Sequence, residues 1–251
     1  MKKIVLIFAV ALTAFSAVSC SDLFELKVVR GSGVYAEQVY DVDDFSSISV
    51  SGSCDVYFTQ GPKSVTLTAD DNTIEYYRIE TEARTLEISS KRGVIIQPKA
   101  KTFLTASSPE FSGLKISGSG DCIMKSPVHT DDDFTISITG SGDVEASRIE
   151  CKDFNSTISG SGNIEAGSID CDEFSLKVTG SGDLEVESLA ADNITITITG
   201  SGDVTVGCDN VDNITVHIMG SGDVKLYGSA KSLDIKITGS GDIDSSQLNL
   251  D

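Results

Sequence analysis

A chain of 251 residues, 39% of them hydrophobic, is long enough for one or two packed domains and too apolar to be intrinsically disordered. Its 38 Asp and Glu against 19 Lys and Arg give a net charge of −19, a field that repels nucleic acid and anionic membrane surfaces. Thr, Ile, Val and Ser with 23 glycines fit short strands broken by tight turns, so an all-β fold is expected.

The opening MKKIVLIFAVALTAFSAVSC reads as a secretion signal: Lys2 and Lys3 supply the positive start, Ile4 to Phe15 the apolar stretch, and Ala17-Val18-Ser19 a small-residue cleavage region. The apolar stretch is too short to span a bilayer in the mature protein. Residues 1–19 are therefore expected to be a signal peptide, and Ala17-Val18-Ser19-Cys20 looks like a lipobox after which Cys20 becomes the acylated N-terminus. Plain secretion with Cys20 incidental is the alternative. Without the signal, 17 basic residues face 38 acidic ones, a net charge of −21. Neutral glycans, basic proteins and divalent cations stay open as partners, as does the plain reading that the charge keeps a long β surface soluble.

Residues 20–44 read as tether and N-terminal cap, with Gly31-Ser32-Gly33 opening either a further turn or the cap. In residues 45–110, FSSISVSGSCDVYF from Phe45 matches FSGLKISGSGDCIM from Phe111 position by position. The 66 residues from Gly52 to Gly118 have the length of about three irregular coils. Gly61-Pro62, Tyr76-Tyr77, Lys91-Arg92-Gly93 and Pro98 mark longer loops, and a small antiparallel capping sheet is the alternative.

Residues 111–251 are a tandem repeat. Gly-Ser-Gly-Asp/Asn begins at Gly118, Gly140, Gly160, Gly180, Gly200, Gly220 and Gly239, with spacings of 22, 20, 20, 20, 20 and 19. In the unit from Gly180 to Thr199, apolar residues alternate at Leu184 and Val186, at Leu189 and Ala191, and at Ile194, Ile196 and Ile198, with a slip of phase between the runs. Corners are expected at Gly180-Ser181-Gly182, Glu187-Ser188 and Asp192-Asn193. Three short strands that close into a triangle pair only with the same strands of the next unit. The predicted fold is a right-handed parallel β-helix of about 20-residue coils.

Equivalent positions then stack in columns. Phe134, Phe154, Phe174, Ile194, Ile214 and Leu233 fall on the inward phase, and Thr135, Ser137, Thr157, Thr195, Thr197 and Thr215 face outward. The motif acids form the column Asp121, Asp143, Asn163, Asp183, Asp203, Asp223 and Asp242. Carboxylates stacked at ~4.8 Å repel by roughly 1 kcal/mol even in water. Two readings stay open: each side chain caps its own turn, which Asn163 favours because it keeps the shape without the charge, or the column holds calcium, which wants six to eight oxygens. No other cofactor is indicated. Cys151 and Cys171 stand one repeat apart, within disulfide reach, yet parallel side chains point the same way, so a bridge and a pair of buried thiols are both open. Cys54, Cys122 and Cys208 have no evident mates.

The lipobox, the F-x-x-I-x-V-x-G stretch from Phe45 to Gly52, the following DVYFTQG and the tandem GSGD repeats together resemble the putative auto-transporter adhesin, head GIN domain family. The resemblance runs from about Phe45 to the C-terminus and implies a parallel β-helix on a Bacteroidota-type cell envelope, with no catalytic residues attached. His129 and His217 lie in different coils, and the acids, Asp131-Asp132-Asp133 included, recur as corner residues. The expected function is a non-enzymatic outer-membrane lipoprotein that binds a glycan or protein partner. A polysaccharide lyase or hydrolase and a structural spacer are the alternatives.

Overall fold

The computed structural model describes residues 26–250, so the signal segment and Cys20 lie outside the described residues. It is a β-solenoid of about seven turns with coils about 20 residues apart, as the repeat predicts. The N-terminal part contains β1 (Lys27–Arg30), β2 (Tyr35–Val39), β3 (Ser47–Gly52), β4 (Asp55–Gln60), β5 (Ser64–Asp70), β6 (Tyr77–Glu82), β7 (Thr85–Ser90), β8 (Val94–Gln97) and β9 (Phe103–Ser108). The coils continue through β10 (Gly113–Gly118), β11 (Cys122–Met124), β12 (Val128–His129), β13 (Phe134–Gly140), β14 (Val144–Glu150), β15 (Asp153–Gly160), β16 (Ile164–Asp170), β17 (Glu173–Gly180), β18 (Leu184–Ala190) and β19 (Asn193–Gly200). The last are β20 (Val204–Gly220), β21 (Val224–Gly239) and β22 (Ile243–Leu250).

From β10 onward every pairing is parallel and joins one coil to the next, with Phe134, Phe154, Phe174, Ile194, Ile214 and Leu233 in one register. The phenylalanines of this column are fully buried, and Phe154 and Phe174 stack with centroids 5.2 Å apart. The aromatic column is core. The outward Thr and Ser residues alternate with it on the same strands, half-exposed or exposed.

Two expectations are corrected. The first two of the three strands per coil run as one: β18 passes through Glu187-Ser188, where the side-chain phase slips but Ser168 and Ser188 still pair, because this bend is open enough to keep the ladder. In β20 and β21 the strand also runs on through the next corner. Second, the 66 residues between Gly52 and Gly118 are not three coils. Gly52 is the direct register partner of Gly118, so β3 and β4 are one coil away from β10 and β11. The chain leaves that coil, folds β5–β9 against its other side, and returns. β7 and β9 pair in parallel with β3 and β4 and form the base layer, while β5 and β6 pair antiparallel with β9 and β7, and β2 with β5. The capping sheet is the arrangement found.

Gly31-Ser32-Gly33 belongs to this cap. Asp70 is fully buried and accepts backbone N–H bonds from Gly33, from Lys99 at 2.9 Å and from Ala100 at 3.1 Å. A Cβ on Gly31 would lie 2.1 Å from the Asp70 carboxylate, so only glycine fits there. Asn72 closes the clasp, accepting from Ser32 N–H at 2.9 Å and donating to the Arg30 carbonyl at 2.8 Å. Burial pushes the Asp70 carboxyl up, but the three N–H donors and the Lys99 charge outweigh it and hold it below the usual carboxylate range.

At the other end, β22 covers only the first part of β21. Ile235 and Ile237, which continue buried columns, are consequently 42% and 40% exposed.

A carboxyl held below its unfolded value stabilises fully above that value and loses its contribution as pH falls through the folded one. Asp70→Asn is therefore expected to lower the melting temperature at neutral pH and to flatten its decline below about pH 4. Thermal melts of both proteins across acidic pH check this.

Candidate functional site

The recurring corner is built from two glycines with different duties. The first of each motif has a positive φ, from +130° at Gly140 to +151° at Gly220, which L side chains rarely adopt. Both approach the coil before them so closely that a Cβ would lie 2.0 to 2.3 Å from its carbonyl oxygen at the same position. Cys54 occupies the second-glycine slot of the β3–β4 coil and is buried in the core there. Burial first, then the Asp55 charge, pushes its thiol up to about 12.

Along the corner, the Ser201 N–H bonds the Gly180 carbonyl at 2.8 Å and the Leu184 N–H bonds the Asp203 carbonyl at 3.0 Å. The Asp203 N–H between them is met by the Asp183 side chain, whose Oδ1 accepts at 2.7 Å. The same bond repeats from Asp55 to Asp121, Asp121 to Asp143, Asp143 to Asn163, Asn163 to Asp183, Asp203 to Asp223, and Asp223 to Asp242, at 2.8 to 3.1 Å. The side chain caps the next coil, not its own turn as the sequence suggested, because in-register stacking puts the next N–H directly over it. With one oxygen of each acid taken by an N–H, six to eight oxygens for calcium would have to come from several coils.

A second ladder escaped the sequence reading. At the third corner Asn193 donates to Glu173 Oε1 at 2.7 Å, Asn213 to Asn193 Oδ1 at 2.8 Å, and Ser232 to Asn213 Oδ1 at 2.8 Å. The recurrence of Asn at this position in consecutive repeats was its visible signal.

Cys151 and Cys171 are buried in neighbouring coils as free thiols, so the possible bridge is not formed in the structure. A hydrogen bond between the two, then burial, pushes the Cys171 thiol far up. His129 is exposed, with Asp131 at 3.7 Å and Glu150 at 3.5 Å, and His217 stacks between Thr197 and Lys236.

Beside the Asp column, Glu145, Glu165 and Glu185 are register partners on the outward face of β14, β16 and β18. They line an open groove of about 480 Å³ that reaches Met124 and Lys125 at one end and Glu187 at the other. Adjoining hollows continue along the Asp column. Unlike the Asp side chains, these glutamates make no hydrogen bond to the next coil among the described residues, and their charges face solvent. Glu80, Glu82 and Glu87 form a smaller acidic group on the β6–β7 hairpin, where Arg78 pairs with Glu80. Among the described residues no helix is long and apolar enough to cross a membrane.

The profile of the family described as "Putative auto-transporter adhesin, head GIN domain" matches residues 44–210 and 206–251. No curated protein matches the chain. Among solved structures it is similar to a putative adhesin from Bacteroides fragilis, at 23% identity and a TM-score of 0.78 over 86% of this chain and 99% of that one. A putative lipid binding protein from Parabacteroides distasonis is 26% identical, with a TM-score of 0.72 over 87% of this chain and 99% of that one. A putative adhesin from Parabacteroides merdae is 22% identical, with a TM-score of 0.73 over 87% and 98%.

Asp183→Ala leaves the Asp203 N–H without its acceptor and is expected to cost about 1 kcal/mol, whereas Asp183→Asn keeps the acceptor and should lie within about 0.5 kcal/mol of the parent in urea unfolding. If the ladder is structural, calcium and chelator give the same melting temperature.

Proposed function

The chain belongs to the family described as Putative auto-transporter adhesin, head GIN domain, and we propose that it is a non-enzymatic binding protein of the cell envelope, an outer-membrane lipoprotein anchored through Cys20. The observation that carries the reading is the acidic groove on the regular coils. Glu145, Glu165 and Glu185 are stacked in register and form no ion pair among the described residues. Neighbouring carboxylates at the coil spacing repel by roughly 1 kcal/mol in water. A partner bearing cationic groups relieves that repulsion, and the solenoid holds the acids at fixed spacing without further ordering on binding. The groove thus suits a basic protein segment or a glycan carrying amino groups. The adhesin names of two similar structures point the same way.

A soluble form without the anchor, residues 21–251, is to be screened against immobilised glycans and envelope or matrix proteins with and without calcium. Saturable binding that weakens with salt, and falls about tenfold or more in the Glu165→Lys, Glu185→Lys double variant, is the expected outcome. Release of unsaturated or reducing sugars would establish a lyase or hydrolase instead. Silence in both assays would leave the spacer.

A further inference from the structure

The acidic charge of this protein is not spread evenly. Residues 111–251 carry 8 Lys and Arg against 24 Asp and Glu, whereas residues 26–110 carry 9 against 12. Within the cap the asymmetry reverses. The segments 26–34 and 91–102 contain Lys27, Arg30, Lys91, Arg92, Lys99 and Lys101 and not one Asp or Glu. These two segments are brought together by β1 and β8, which pair in parallel as a two-stranded ribbon separate from the main sheet.

The ribbon exposes apolar side chains, as the uncovered part of β21 does at the other end. Val28 and Ile95 are register partners, so they share one face, and they are 50% and 43% exposed, with Leu26 at 60% just before them. Arg30 and Gln97 follow on the same face, joined by a 3.3 Å hydrogen bond. The ribbon is held firmly from behind. Lys27 donates to the Tyr76 hydroxyl at 2.6 Å, and the Asp70 clasp fixes both the turn after β1 and the loop after β8. Of the basic residues, Lys101 pairs with Asp55 at 2.8 Å, the Lys99 charge acts on Asp70 and Lys27 is held by Tyr76, while Arg30 and Lys91 stand at the two ends of the ribbon.

We propose that the outer face of the β1–β8 ribbon is a membrane-seating surface, resting on the anionic headgroups of the bilayer with Leu26, Val28 and Ile95 at the interface and the flanking Lys and Arg on the phosphates. Apolar side chains framed by cations are what an anionic interface attracts. The position of the anchor agrees, and this part rests on the lipoprotein reading. Five residues lie between Cys20 and Leu26, a span of at most about 20 Å, so an acylated Cys20 keeps the ribbon at the surface. The repulsion expected from the net charge is outweighed locally because salt largely screens charges more than about 8 Å apart, and the acidic coils recede by ~4.8 Å each.

The test uses the soluble form without Cys20, residues 21–251, co-sedimented with phosphatidylcholine vesicles that contain or lack about one-third phosphatidylglycerol. Greater partitioning onto the anionic vesicles is expected, abolished by high salt. It should drop about tenfold or more in Arg30→Glu, Lys91→Glu and several-fold in Val28→Ser, Ile95→Ser, while Lys225→Glu, a charge reversal on a late coil, should change it less than about twofold. Circular dichroism melts establish that each variant is folded. Equal partitioning onto both vesicles, or unchanged partitioning of the ribbon variants, overturns the proposal. Mass analysis of the mature N-terminus decides acylation of Cys20 separately, so either reading can fail without the other.

Discussion

At each Gly-Ser-Gly-Asp corner the backbones of successive coils come so close that no Cβ fits between them. This constraint fixes the rest. It sets the register of every strand that leaves the corner, and through the two-residue alternation it decides which side chains enter the core. A slip of one residue would turn the phenylalanine and isoleucine columns outward and put a side chain against a carbonyl oxygen. The close approach also leaves the next Asp N–H without a backbone acceptor, and the motif supplies one from the preceding coil through the carboxylate or, at Asn163, the amide oxygen. Glycine and aspartate therefore serve one junction, the first by making room and the second by completing its hydrogen bonds.

A solenoid built this way separates structure from surface. Inward positions hold the coils together and corner positions lock them, so the outward positions of each strand are free to carry repeated chemistry. On the β14, β16 and β18 side that chemistry is acidic, and on the β13, β15, β17 and β19 side it is Thr and Ser. The base of the stack is different: Asp70 and Asn72 clasp a basic, partly apolar ribbon there. The molecule is polarised along its length, and the pole nearest the expected anchor is the one least like the rest.

Much of this was legible in the sequence because the repeat is nearly invariant. A 20-residue period with alternating apolar residues specifies parallel stacking, and the columns headed by Phe134 and by Asp121 could be aligned by eye. What misled was arithmetic without pairing: 66 residues from Gly52 to Gly118 is three times the first repeat spacing, yet they enclose an excursion to the other side of the coil. Gly61-Pro62 and Pro98, which break coil periodicity, were the local sign of it. The partner of each motif Asp was misjudged because a side-chain bond to a residue 20 positions on leaves no local trace. Asp70 was invisible for a related reason. It occurs once, and its three donors come from two distant loops.

The central claim, that the absence of a Cβ at the corner sets the stacking, is tested most directly at Gly182, where no unusual φ complicates the reading and an added Cβ would meet the Gly162 carbonyl oxygen at 2.2 Å and an Ile158 methyl at 2.6 Å. Urea unfolding of Gly182→Ala, set beside Ser181→Ala from the same corner, is predicted to show a loss of about 3 kcal/mol or more for the glycine variant and less than about 0.5 kcal/mol for the serine variant. Equal and small losses at the two positions would contradict the account.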